Sequence, residues 1–185
     1  MGCGSVRRAQ IVTYINEATP PFHALIGTTA DGPTVYPPSG IVKRGDETYF
    51  DDKELIKQCQ AVHIDKITIY CQDLITGIEI VYCLDQSIQT RLHVLDKGGM
   101  QMRLELGEEE SIMSVETTAS TDGVHSILLK TSKGHQLAAE GKRGKGEQTA
   151  VQSFTEEKRA VVAVKGCYDK VLKTLGVYTW KMRRT

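Results

Sequence analysis

Leu74-Ile75-Thr76-Gly77-Ile78 runs directly into Glu79-Ile80-Val81-Tyr82. Ser111-Ile112-Met113-Ser114-Val115, followed by Glu116-Thr117-Thr118, has the same make-up, and so has Val171-Leu172-Lys173-Thr174-Leu175, followed by Gly176-Val177-Tyr178. In each, two branched apolar residues stand three apart and a β-rich run follows. Such recurrence signals one supersecondary unit used several times around a shared core. The copies are unequally spaced, which excludes a regular solenoid. Three strand-rich units predict a closed, pseudo-threefold β structure.

The intervening sequence agrees. Lys66-Ile67-Thr68-Ile69-Tyr70-Cys71 and Gly77–Tyr82 alternate with period two, as half-buried strands do. Met100–Leu106, Val124–Leu129, Ala160–Val164 and Leu175–Trp180 continue the pattern. Lys97-Gly98-Gly99, Asp122-Gly123, Lys133-Gly134 and Lys142-Arg143-Gly144 punctuate it with turn chemistry. Only Asp52–Gln60 has helical character. The expected class is therefore all-β.

Residues 1–39 differ. All five prolines fall there, in Pro20-Pro21, Asp31-Gly32-Pro33 and Pro37-Pro38, and they interrupt regular structure. Gln10–Ile15 reads as a short strand. Ile11, Val12, Tyr14, Ile15, Phe22, Leu25 and Ile26 are too many apolar groups for a solvated tail. The expectation is an extended N-terminal arm over 1–39, laid on a domain spanning 40–185.

The chain has 185 residues, 40% hydrophobic and 25% charged, ordinary values for one globular domain. Lys plus Arg and Asp plus Glu both number 23, so no bulk field points to nucleic acid. The five cysteines, Cys3, Cys59, Cys71, Cys83 and Cys167, form no C-x-x-C pair and no even set. They read as reduced thiols in a cytoplasmic protein. No Walker loop, G-x-S-x-G elbow or H-E-x-x-H is present, and the expectation is a non-enzyme without cofactor or metal. Asp51-Asp52 and Glu108-Glu109-Glu110 read as solvated turn carboxylates, and His63 and His125 as structural.

Taken in order, Tyr49-Phe50-Asp51-Asp52, Asp65–Ile69, Gln72–Tyr82, Met100–Val115, Val124–Gly134 and Leu175-Gly176-Val177-Tyr178 resemble the jacalin-type lectins. The resemblance spans roughly residues 40–180. It implies a β-prism of three four-stranded sheets with pseudo-threefold symmetry. It also implies a sugar site on a glycine-x-x-x-aspartate loop before the last strand, whose carboxylate accepts from sugar hydroxyls. The matching stretch here is Asp169-Lys170-Val171-Leu172-Lys173, with Asp169 for the glycine and Lys173 for the aspartate. An ammonium only donates, so this site is degenerate. The corresponding loop of the earlier repeat keeps Asp73 but has Thr76 at the acceptor position. The candidate ligand residues are Gly166, Asp169, Lys170, Val171, Lys173 and Asp73.

Met1-Gly2-Cys3-Gly4-Ser5 is a second signal. Gly2 could carry myristate and Cys3 palmitate, the two chains that stable anchoring requires, with Arg7 and Arg8 beside an anionic leaflet. Val6 departs from the usual serine or threonine. The leading expectation is a non-enzymatic module for protein or membrane-associated interaction, part of a larger assembly, cytoplasmic and associated with membrane or cytoskeleton. The alternative is a lectin that binds glycan through the modified loop.

Overall fold

The computed structural model describes residues 22–25, 27–29, 32–34, 47–57, 59–85, 87–120, 122–142, 150–155 and 158–182. In chain order these form β1 (Phe22–Leu25), β2 (Gly27–Thr29), β3 (Gly32–Thr34), β4 (Thr48–Asp51), α1 (Lys53–Ile56), β5 (Val62–Cys71), β6 (Ile75–Leu84) and β7 (Ser87–His93). There follow β8 (Met100–Glu105), β9 (Ile112–Ser120), β10 (Gly123–Thr131), β11 (Gln136–Glu140), β12 (Ala150–Thr155), β13 (Arg159–Tyr168) and β14 (Leu172–Lys181). Gly2, Cys3 and the strand expected at Gln10–Ile15 lie outside the described residues.

The strands assemble into three four-stranded sheets: β1-β14-β13-β4 (sheet 1), β11-β10-β9-β12 (sheet 2) and β7-β6-β5-β8 (sheet 3). All pairings are antiparallel. In sheets 2 and 3 a three-stranded meander is closed by a fourth strand that returns beside the first, a Greek key. Sheet 1 is the same key permuted, with its outer strands taken from the start of the chain. Part of the expected arm is thus a strand of the prism: Phe22–Leu25 pairs with Tyr178–Leu175. β2 and β3 form a separate two-stranded ribbon.

The recurrent apolar spacing has a physical cause. Each central hairpin holds an extra residue at Thr76, Met113 or Lys173, where the register slips by one. A spacing of three is the strand period of two plus one bulged residue. Ile75 and Ile78, Ile112 and Val115, and Leu172 and Leu175 therefore all point inward and are at most 4% exposed. The bulged register recurs at Asp65, His125 and Val162. The three quoted stretches occupy one sheet each, as expected, but they are not strict counterparts. β10 stands in sheet 2 where β6 and β14 stand in theirs, and β9 matches β5 and β13.

One continuous core fills the space between the sheets, with Trp180, Tyr82, Ile56, Ile69, Ile80 and Leu172 among its fully buried side chains. Burial pushes the Cys71 and Cys167 thiols up to about 11, so neither is a ready nucleophile. All four described cysteines are free.

Two carboxylates expected at solvated turns are buried instead. Asp52, 4% exposed, accepts from the Tyr82 hydroxyl at 2.7 Å and from His93 Nε2 at 3.0 Å. The His93 ring stacks on Phe50, with centroids 4.0 Å apart. This network ties the β4–α1 corner of sheet 1 to sheet 3. Glu110, 2% exposed, accepts from the Gly107 N–H at 3.1 Å, from His135 Nδ1 at 2.7 Å and from the Thr131 hydroxyl. A turn that closes on a polar core is satisfied this way, because a buried carboxylate without donors is costly.

Burial pushes the Glu110 carboxyl up, but the bonds from Thr131, Gly107 and His135 outweigh it and hold the group below its ordinary range. A depressed folded-state pKa contributes stability above the unfolded value, about 4.3, and the contribution is lost as pH falls through the folded value. Glu110→Gln is therefore expected to be less stable than the parent at neutral pH. Urea titrations repeated toward pH 3 should show that deficit shrinking.

Candidate functional site

The turns of the three central hairpins gather at one end of the prism. A Cβ added at Gly123 would lie 2.9 Å from Leu172 O and 3.6 Å from Leu74 Cδ1. The Lys142 N–H donates to Gln72 O at 2.8 Å, and Lys173 Nζ donates to Asp122 O at 2.9 Å. The bulged residues beside these turns, Thr76, His125 and Lys173, hold equivalent positions. A bulge next to a turn re-aims a side chain.

In sheet 1, the Asp169 N–H donates to Val171 O at 3.0 Å, and the Val171 N–H donates to Asp169 Oδ1 at 2.9 Å. Lys173 Nζ lies 3.4 Å from Asp169 Oδ2. Aspartate in the glycine position and lysine in the aspartate position thus form a pair. The ammonium is held from one side by Asp169 and from the other by the Asp122 carbonyl. Lys173 is 19% exposed and Asp169 33%. This turn satisfies itself: Asp169 and Lys173 are turned toward each other. Lys170 is exposed at the tip and Val171 is half-buried.

Gly166 is not at the turn. It lies within β13, between Leu175 on β14 and Phe50 on β4. A Cβ there would stand 2.2 Å from Thr174 O and 2.8 Å from Phe50 Cζ. The structure places it as a close-approach residue in the sheet.

In sheet 3 the same turn recurs, with the Gln72 N–H donating to Leu74 O at 2.9 Å. Its first residue is glutamine, and the side chain turns away: Gln72 Nε2 donates to Asp96 Oδ2 at 3.3 Å. Asp73 is exposed at the tip. Across from it, the loop between β7 and β8 brings Asp96, whose Oδ1 accepts from the Gly98 N–H at 2.8 Å. Gly99 is tucked against the turn at φ +87, where a Cβ would stand 2.3 Å from Cys71 O. Only glycine takes this position without strain. The loop is pinned by Lys97, whose Nζ donates to Glu79 at 3.1 Å and sits 5.9 Å above the Tyr70 ring. Burial pushes the Glu79 carboxyl up, and the bonds from Lys97 and Tyr70 more than reverse it.

Sheet 3 therefore presents two exposed carboxylates, Asp73 and Asp96, beside a turn that has no side-chain cap of its own. Leu95, directly before Asp96, is 64% exposed, and Met100, paired with Cys71 just ahead of the turn, is 51% exposed. Thr76 contributes nothing to this surface; its hydroxyl is buried and has no partner. In sheet 2 the equivalent His125 is buried, with Nε2 2.6 Å from the Ser120 hydroxyl. Among the described residues, no group of three His, Cys, Asp or Glu side chains is placed to hold a metal ion. Asp73 is among the candidates read from the sequence; Asp96 is not.

The profile of the jacalin-like lectin domain matches residues 39–178. The chain belongs to the jacalin-like lectin family. Its solved neighbours share the fold at low identity. Artocarpin complexed with methyl-α-mannose is 17% identical, with a TM-score of 0.63 over 88% of this chain and 98% of that one. Frutapin, a lectin from Artocarpus incisa, is 19% identical, with a TM-score of 0.62 over 88% and 97%. Malaysian banana lectin is 18% identical, with a TM-score of 0.59 over 77% and 94%. No curated protein matches the sequence. Within this jacalin-like frame, the turn of sheet 1 carries the Asp169–Lys173 pair, while the turn of sheet 3 and the loop beside it carry the exposed Asp73 and Asp96.

Proposed function

We propose that this jacalin-like domain is a carbohydrate-binding lectin that receives a neutral sugar at the loop end of sheet 3. The observation that carries the reading is the contrast between the two turns. Asp169 and Lys173 are paired with each other, while Asp73, at the tip of its turn, and Asp96, on the loop beside it, are exposed acceptors. Vicinal sugar hydroxyls suit carboxylate acceptors, and the exposed Leu95 and Met100 suit the apolar face of a ring. Artocarpin with methyl-α-mannose makes α-mannosides the first probe.

Calorimetry with methyl-α-mannoside tests the assignment. A hydrogen bond to a charged group contributes about 1.5–3 kcal/mol, so Asp96→Asn and Asp73→Asn should each weaken binding about tenfold or more. Lys173→Ala should change it less than about twofold, because the ammonium is turned onto Asp169 and Asp122. The reverse ranking would move the site to the turn of sheet 1.

The protein-interaction module is the second reading. One observation favours it: among the described residues, the exposed large apolar side chains are Ile88, Leu92, Leu95 and Met100, all in sheet 3 or its connecting loop.

A further inference from the structure

Among the described residues, β7 is an edge strand, paired only with β6. At the neighbouring corner, the short β4 reaches the end of β7, where Phe50 stacks on His93. From Ser87 to Leu92 every residue of β7 is exposed. Ile88, 73% exposed, and Leu92, 42% exposed, share the outer face of the sheet opposite Cys83 and Glu79. An edge with free backbone groups and exposed apolar side chains is a template for another strand. The strand has no proline or lysine to block one, and Arg91 is its only fixed charge.

We infer that β7 is a homodimerisation edge, pairing antiparallel with β7 of a second copy about a twofold axis through Thr90. The sequence Ser87-Ile88-Gln89-Thr90-Arg91-Leu92-His93 is self-complementary in this register. Ile88 meets Leu92 of the second copy twice, Gln89 meets Arg91, and Thr90 meets itself. Four apolar side chains then close over the seam. The charge fits as well. Arg91 faces a glutamine here, whereas a twofold axis one residue further on would set Arg91 against its own copy, an unfavourable like-charge pair. The two sheets become one of eight strands, with the Asp73 and Asp96 turns at opposite ends. The proposal stands without glycan binding; if sugar binds there, the dimer is bivalent.

A single strand pair buries less than the roughly 1,600 Å² of a standard interface, so the dimer is weak, with a Kd on the order of 10–100 µM. Sedimentation velocity across about two decades of concentration around that value should show monomer passing to dimer. Ile88→Lys with Leu92→Lys should stay monomeric over the same range with an unchanged melting temperature, because both side chains are exposed. Thr90→Cys should cross-link to a dimer under mild oxidation, with mass spectrometry placing the bond between two copies of residue 90. Gln89→Cys should not, since its copies lie diagonally across the seam, beyond disulfide reach. A parent protein monomeric throughout, a lysine variant that still dimerises, or cross-linking at residue 89 in place of 90 each overturns the proposal.

Discussion

Asp52→Ala is expected to destabilise the domain by about 3–5 kcal/mol, because it leaves two buried donors without an acceptor. The Tyr82 hydroxyl and the His93 ring both converge on this one carboxylate. Tyr82 is fully buried and His93 is 7% exposed, so water cannot replace the acceptor without opening the core. Each stranded donor costs about 1–3 kcal/mol. Both bonds end on the same oxygen, Oδ2, so Asp52→Asn can keep that acceptor while losing its charge, and should lose no more than roughly half as much. Tyr82→Phe removes a donor and its need together, and should cost about 1 kcal/mol. Chemical denaturation of the three variants, with the Asp52–Tyr82 double variant closing the cycle, separates the network from simple loss of volume. Equal losses in all three would mean that packing, and not the stranded donors, sets the cost.

Gly166→Val should abolish folding. Its added carbon would stand 2.2 Å from the Thr174 carbonyl oxygen and 2.8 Å from the Phe50 ring. The first of these is backbone of the adjacent strand and cannot turn aside as a side chain does. Ordinary overpacking costs about 1–3 kcal/mol. Here the β13–β14 ladder itself must part, which places the cost above about 4–5 kcal/mol, a large share of the 5–15 kcal/mol typical of a domain. The expected result is insoluble expression, or loss of cooperative thermal unfolding in whatever is recovered. A soluble Gly166→Val protein with the parent's melting curve would contradict the register given for β13 and β14.

The fold was legible because bulged strands leave a mark that survives in sequence. The inward pairs Ile75 and Ile78, and Leu172 and Leu175, carry their bulge in the spacing, and so do Val124 and Ile127, the sheet 2 counterpart that the repeat reading passed over in favour of Ile112 and Val115. β7 was missed for a different reason. Its alternation is present, but its apolar members face solvent and its inward-facing positions are Gln89 and Arg91, so it does not read as a half-buried strand. β1 was read as arm because Phe22–Leu25 has no partner nearby in sequence; the strand it joins lies at the far end of the chain.

The site was less legible. Position alone named Asp169 and Lys173, and lysine at the acceptor position reads as a departure from the jacalin-type pattern. That the two residues neutralise each other depends on the turn geometry, which no spacing rule supplies. Asp96 was invisible for a similar reason. It reaches the turn of sheet 3 from a different loop, and its Gln72 and Gly98 partners are set by tertiary structure. Asp52 and Glu110 were assigned to solvent because acidic runs at turns usually are solvated. Only the packed corner shows which carboxylate of each run faces inward.

Titration of isotope-labelled protein with methyl-α-mannoside, followed through the backbone amide resonances, tests the central claim most directly. Sugar at the loop end of sheet 3 predicts saturable shifts at Gln72–Leu74 and Asp96–Gly99, with the amides of Asp169–Val171 unmoved. Shifts confined to Asp169–Lys173 would return the site to sheet 1. No saturable shift with methyl-α-mannoside, or with any glycan that an array identifies as a ligand, would contradict the lectin reading itself.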